Sequence, residues 1–174
     1  DRLGSGLLFG GANLVLTARW LVDTPGPLRV TVGGKVHDAD VIAVDDNLAV
    51  LQLHAKGALE GFPLGASVPP SDVQVGQALV ALGVPRGWRM ISGIWKTKRL
   101  RAMPAFVRAT LIESDALYAE GRFAGGGVPL FTEDGVLVGV STGEPALPSM
   151  LARVADPRVV LERAKHPAAQ PNFK

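Results

Sequence analysis

Short apolar runs, several of them alternating with polar residues, are punctuated along the whole chain by glycine- and proline-rich breaks. A half-buried strand repeats every two residues, and turns favour glycine, asparagine and aspartate, so the pattern predicts an all-β domain. The first strands fall at Ser5–Gly10, Leu14–Ala18, Leu28–Val32, Lys35–Val44 and Leu48–His54, with Gly33-Gly34 and Asp45-Asp46-Asn47 as turns. Periodicity lapses over Phe62–Pro70, where Pro63, Pro69 and Pro70 mark a linker. The pattern resumes at Ala78–Gly83, Met90–Thr97, Ala109–Ser114, Val128–Phe131 and Val136–Ser141, with Glu133-Asp134-Gly135 as a hairpin turn.

One helix is expected over residues 156–166. Asp156 is its N-cap, Pro157 sits in the first turn, and Val159, Val160, Leu161 and Ala164 supply an apolar stripe. His166 suits the negative end of the helix dipole. The expected architecture is a single domain, 1–174, built from two packed six-stranded antiparallel barrels. The N-terminal barrel spans 1–62 and the C-terminal barrel 71–155, joined by the linker 63–70; the helix closes the domain and a tail follows at 167–174.

Composition narrows the function classes. A chain of 174 residues with 47% hydrophobic and 20% charged content can bury a full core, and no apolar run reaches the roughly 18 to 20 residues of a membrane-spanning helix. Eighteen basic against 16 acidic residues leave a net charge of +2, no footprint for nucleic acid. The one local excess, Lys96-Thr97-Lys98-Arg99-Leu100-Arg101 with Arg108 nearby, reads as a solvated strand end or loop, with a phosphate or acidic-partner patch as the alternative. Without cysteine there is neither a disulfide framework nor a thiolate metal site. The start at Asp1, with neither Met nor a leader, is expected of a processed fragment.

Seven segments carry the candidate chemistry. Gly4-Ser5-Gly6-Leu7-Leu8-Phe9 precedes Leu14-Val15-Leu16-Thr17-Ala18; Val41–Leu53 reads VIAVDDNLAVLQL; Val75–Gly87 reads VGQALVALGVPRG; Ile91-Ser92-Gly93-Ile94, Ile112–Ala116 and Pro129–Val140 follow. In this order they resemble the chymotrypsin-like protease domain of the HtrA (Deg) family, whose corresponding motifs include "ILTNAHVV", "DLAVLKI" and "VGDWVVAIGNPFG". The resemblance implies a two-barrel trypsin-like fold in the periplasm or another extracytoplasmic compartment. It also puts Trp20 at the histidine position, Asn47 at the aspartate and Gly126 at the serine.

None of these three residues has the chemistry of the one it replaces. Indole has no basic nitrogen, an amide cannot stabilise an imidazolium by charge, and glycine has no nucleophilic atom. No Ser, Thr or Cys lies between Asp115 and Pro129, an interval three residues longer than the family pattern, and no His precedes His37. Asp45 and Asp46 adjoin Asn47, but an acid alone does nothing. The resemblance therefore implies a non-enzymatic pseudoprotease that serves as a scaffold, regulatory or protein-interaction module, with a protein partner and no cofactor. A hydrolase that relocated its nucleophile to Ser92 or Ser114 ranks last, because no His falls near either.

Two further uses of the altered site follow from the residues. Gly125, Gly126 and Gly127 form a candidate backbone nest for an anion or a peptide carbonyl, weighed against a loop that collapses with Arg122 and Phe123 into the former cleft. Trp20 is expected to fill the space of the missing histidine. His37 and His54, on consecutive strands near Asp38 and Asp40, are candidate ligands for a transition metal. Strand parity opposes that pairing: a turn centred on Asp46 sets residue 38 against residue 54 and turns His37 to the other face unless a bulge intervenes. Ser114-Asp115-Ala116-Leu117-Tyr118 resembles the motif of the MamO-type magnetosome branch, thought to have exchanged proteolysis for metal binding, but Asp46 stands where that branch has its metal-binding histidine.

Overall fold

A computed structural model describes residues 4–63, 67–83, 103–113, 116–120, 126–143 and 151–166. Five strands build the N-terminal lobe: β1 (Gly6–Phe9), β2 (Leu14–Ala18), β3 (Leu28–Val32), β4 (Lys35–Val44) and β5 (Leu48–Leu53). They form one antiparallel sheet in the order β1-β2-β5-β4-β3. The central strand is the most apolar: in β5 only Gln52 escapes full burial, as a strand flanked on both sides requires. Its neighbour β4 alternates, with Ala39 buried and Asp38 and Asp40 exposed.

The turn between β4 and β5 is written in its sequence. The Asp45 carboxylate accepts the backbone N–H groups of Asn47 and Leu48 at 2.8 and 2.7 Å, while the Asp45 N–H donates to the Leu48 carbonyl at 3.0 Å. An aspartate hydrogen-bonding the backbone just beyond it is the standard chemistry of such a turn.

The second lobe is a closed antiparallel barrel in the order β10-β11-β8-β7-β6-β9. Its strands are β6 (Ala78–Gly83), β7 (Met103–Glu113), β8 (Ala116–Glu120), β9 (Pro129–Phe131), β10 (Leu137–Ser141) and β11 (Leu151–Ala155). Helix α1 (Arg158–Lys165) follows β11. The Asp156 carboxylate accepts the Arg158 N–H at 2.9 Å, but the N-cap position belongs to Pro157, so Asp156 stands one residue before the cap expected of it. It also pairs with the Arg158 guanidinium, and that hydrogen bond and charge raise the Arg158 pKa further above its ordinary value.

The all-β, two-lobed architecture with a short C-terminal helix is the one expected. Three differences have physical causes. Strand β8, Ala-Leu-Tyr-Ala-Glu, carries alanine and glutamate, which have weak β-propensity, and so escapes a propensity reading. Strand β11 was also unmarked, being preceded by a proline-containing stretch, Pro145 to Pro148. The N-terminal sheet holds five strands among the described residues rather than six; an isolated bridge from Phe9 to Phe62 stands at the outer side of β1. The expected strand Met90–Thr97, the basic run 96–101, Ser92, Ser114 and the tail 167–174 lie outside the described residues. No helix among the described residues is long and apolar enough to cross a membrane.

Each lobe has its own apolar core, and a third cluster lies between them. Leu7, Phe9, Leu16, Leu48 and Val50 from the N-terminal sheet meet Phe131, Leu137, Val140 and Ala155 from the barrel and Val160 and Ala164 from α1. Phe62 joins the seam edge-on to Phe9 at 6.4 Å between ring centroids and tilted against Phe131 at 5.1 Å. Although α1 continues the barrel's last strand, its apolar stripe packs on the N-terminal sheet, where Arg163 Nη1 also donates to the Val44 carbonyl at 2.8 Å.

Phe9 is 1% exposed at the centre of this seam. Phe9→Ala is expected to cost about 3–5 kcal/mol of folding stability, measured by urea denaturation, with both lobes losing structure in one transition.

Candidate functional site

Trp20 reaches the boundary between the lobes because β2 ends at Ala18 and the chain enters a single 3-10 turn, Arg19–Leu21. Its indole Nε1–H donates across the boundary to the carbonyl of Thr142, the residue just past β10. Beneath the ring lies Gly126. Its carbonyl accepts the Ser5 N–H at 3.0 Å, which ties the start of β1 to the barrel.

The surroundings of Gly126 leave no space for a side chain. A Cβ there would stand 2.5 Å from the Thr142 oxygen, 2.7 Å from the Ala18 Cβ and 2.7 Å from Trp20 Nε1. Each is well inside van der Waals contact. Gly127 is constrained differently: its φ of +82° favours glycine, and a Cβ would strike the Ser5 carbonyl and the Thr17 hydroxyl. Its N–H donates to the Ser141 carbonyl at 2.8 Å, and the Val128 N–H to Ser141 Oγ at 3.2 Å. Of the candidate nest, the Gly127 amide is thus committed inside the protein and Gly125 lies outside the described residues.

Asn47 is held from both lobes. The Arg19 N–H donates to its carbonyl at 2.8 Å, and Arg153 Nη1, from β11, approaches its side-chain oxygen at 3.5 Å. Arg153 is joined to the rest of the site through its own carbonyl, which accepts the Thr142 N–H at 2.8 Å. Arg19 donates through Nη1 to the Asp45 carbonyl at 2.9 Å and pairs with Asp23. A closed circuit runs from Trp20 through Thr142, Arg153, Asn47 and Arg19 back to Trp20.

The structure therefore brings Trp20, Asn47 and Gly126 into one region, although they lie far apart in sequence. It provides no base at position 20, no charge at position 47 and no nucleophile at position 126. The indole N–H is a donor only. Arg153, Thr142 and Ser141 were not singled out from the sequence. Their roles arise from the pairing of β10 with β9 and β11, which no local motif announces.

His37 and His54 are not brought together. The register Ala39 to Leu53 and Asp40 to Gln52 sets residue 54 opposite residue 38, and the His54 N–H donates to the Asp38 carbonyl at 2.9 Å. The pairs next to the turn, Ala43–Val50 and Val44–Ala49, are one residue out of step with Val41–Leu51, so the bulge between Val41 and Ala43, lying between the turn and both histidines, is what sets His37 and His54 on opposite faces. His54 Nε2 meets the Asp40 carboxylate at 2.7 Å on the outer face. His37 shares the inward parity of Ala39, with its Nε2 buried and without a hydrogen-bond partner among the described residues. Among the described residues no group of three or more His, Asp or Glu side chains could hold a metal ion.

Residues 4–140 match the family model of the trypsin-like peptidase domain. A comparison with curated proteins finds no match. Among solved structures, the protease domain of MamO from Magnetospirillum magneticum, in its apo form, is similar with a TM-score of 0.70 and 15% identity, covering 91% of this chain and 86% of that one. The inactive form of Rv3671c from M. tuberculosis H37Rv, a serine-to-alanine mutant, is similar with a TM-score of 0.63 and 23% identity, covering 95% of this chain and 82% of the other. At these identities the likeness speaks of the fold.

Crowding at Gly126 makes a direct test. Gly126→Ala is expected to lower stability by about 1–3 kcal/mol through overpacking against Thr142 and Trp20, read as a lower urea midpoint with an unchanged slope. An unchanged midpoint contradicts the assigned packing.

Proposed function

The chain belongs to the trypsin-like peptidase family, and from that premise we propose that it is a member without hydrolytic activity, a pseudoprotease that works as a protein-interaction or regulatory scaffold. One observation carries this reading. The indole of Trp20, which the resemblance puts at the position of the general base, donates to Thr142 and lies against Gly126, which the resemblance puts at the nucleophile's position. Three functions are lost together. Acyl transfer requires a nucleophile, a base to take its proton, and a charge to stabilise the resulting imidazolium. Restoring any one of them leaves the other two missing.

Asn47 reinforces the point from the electrostatic side. In a working triad the acid faces an imidazole, whereas here the neutral amide faces the guanidinium of Arg153. The circuit joins the two lobes, which suits a rigid module better than a cleft that admits and releases substrate. The partner is a protein, and the resemblance to the HtrA family favours an extracytoplasmic compartment. Chemistry at these residues calls for no cofactor.

Two measurements bear on the proposal. Incubation with a fluorophosphonate probe and with unfolded casein is expected to give neither covalent labelling nor cleavage. Labelling of any serine in this chain, or cleavage abolished by substituting one of its residues, overturns the reading. For the metal alternative, titration calorimetry with zinc, copper and iron(II) is expected to give the same heats for the parent protein, His37→Ala and His54→Ala. Heats lost in both variants restore a metal function.

A further inference from the structure

The two sheets end differently. The barrel closes on itself, whereas the N-terminal sheet stops at β3, which pairs with β4 alone among the described residues. Its opposite end is covered, because the Phe62 N–H donates to the Leu8 carbonyl of β1 at 2.8 Å. The groups that β3 leaves open follow from its turn. Gly33 and Gly34 both have positive φ, +57° and +85°, as in the two-residue type I′ hairpin, where the flanking Val32 and Lys35 exchange hydrogen bonds. Bonded pairs then alternate along the ladder to Val30 with His37 and Leu28 with Ala39, so the N–H and C=O groups of Arg29 and Thr31 point away from β4. On the far side of β4 the Asp38 carbonyl, turned to β5, accepts the His54 N–H as the same alternation requires. Side chains complete the edge: Leu28, Val30 and Val32 are half-buried at the rim of the apolar cluster around Ala39 and Leu53, and Arg29 and Thr31 are exposed on the other face.

A second copy of the chain suits this edge poorly. In a two-fold pairing centred on Val30 the two Arg29 side chains become diagonal neighbours on one face, and five residues of edge bury far less than the roughly 1,200 Å² of a stable interface. An extended segment of another protein avoids both difficulties. Its apolar residues cover Leu28, Val30 and Val32, and a carboxylate opposite Arg29 meets a guanidinium whose own acid, Asp38, stands 4.0 Å away with both side chains mostly exposed. We propose that the outer edge of β3 docks an extended partner segment, in which apolar residues alternate with polar ones that include an acid, as a sixth antiparallel strand of the N-terminal sheet. This inference rests on the reading of the chain as a protein-interaction module, and it gives that module a place and a mode of binding. The backbone groups of Arg29 and Thr31 supply affinity, while the apolar rim and the Arg29 charge supply preference.

The probe is the peptide acetyl-Ser-Val-Thr-Val-Glu-Val-Ser-amide, which laid antiparallel sets its Glu opposite Arg29 and its three Val opposite Leu28, Val30 and Val32. A control peptide is N-methylated at Thr and Glu, the two residues whose N–H groups face the edge. By calorimetry we expect the parent protein to bind the probe, and the methylated control about 5- to 100-fold more weakly, the range of two hydrogen bonds. Replacing the peptide's Glu by Lys is expected to weaken binding about 2- to 5-fold at low salt. Thr31→Pro removes one outward N–H while sparing the ladder to β4, and is expected to weaken binding about 2- to 10-fold with an unchanged circular dichroism spectrum. No binding, or equal binding of the probe and either altered peptide, overturns the proposal; these readouts use the parent protein and stand even if Thr31→Pro fails to fold. Two other occupants are distinguishable. A dimer in sedimentation equilibrium that Thr31→Pro abolishes assigns the edge to a second copy, and slow hydrogen exchange at the Arg29 and Thr31 amides without peptide assigns it to the chain itself; either result overturns the proposal. Fluorophosphonate labelling is read separately on the peptide-free protein: a labelled protein ends the pseudoprotease reading, and an unlabelled one that ignores the peptide ends this proposal alone.

Discussion

Two backbones pass so closely at Gly127 that only a residue without a Cβ fits between them. The Ser5 carbonyl occupies the space a side chain would take, and the positive φ of Gly127 turns the segment toward β10. Ser5 can then donate to Gly126 while its own carbonyl accepts the Thr17 hydroxyl at 2.7 Å. This stitch fixes the height at which β1 and β2 meet the barrel, so that Phe9 and Leu16 face Phe131 and Val140. Apolar burial supplies most of the attraction between the lobes, but it is non-directional. The glycine contact sets the register in which the attraction acts.

Much of this was readable in the sequence. Strands β2, β3, β4 and β6 fall where the alternation places them, and the hairpin Asp45-Asp46-Asn47 turns as its aspartate chemistry suggests. The opposite facing of His37 and His54 was expected from the period of two about a turn centred on Asp46, but it arises from the bulge between Val41 and Ala43, since the register beside the turn, Val44 to Ala49, would by itself set residue 39 against residue 54. The convergence of Trp20, Asn47 and Gly126 came from the ordered motifs of the resemblance, since nothing local links residues so far apart. Arg153 could not be read at all. Its place beside Asn47 depends on which strand closes the barrel, and β11 has no distinguishing composition.

Helix α1 shows how connectivity and packing can diverge. It belongs by sequence to the barrel and by contact to the other lobe, with Val160 and Ala164 set against Leu48 and Val50. Arg163 adds a directed bond to the carbonyl of Val44. Motion of one lobe against the other must therefore break the aromatic seam, the stitch at Gly127 and the helix contact together. A domain tied at three separated places resists shear more strongly than its interface area alone suggests.

The seated Trp20 indole and a side chain at position 126 exclude one another. An indole over position 126 is tolerated only when that position has no side chain, and with the indole seated a side chain there is costly. The effects of substitutions at 20 and 126 are thus epistatic rather than additive, as expected of groups that share one volume.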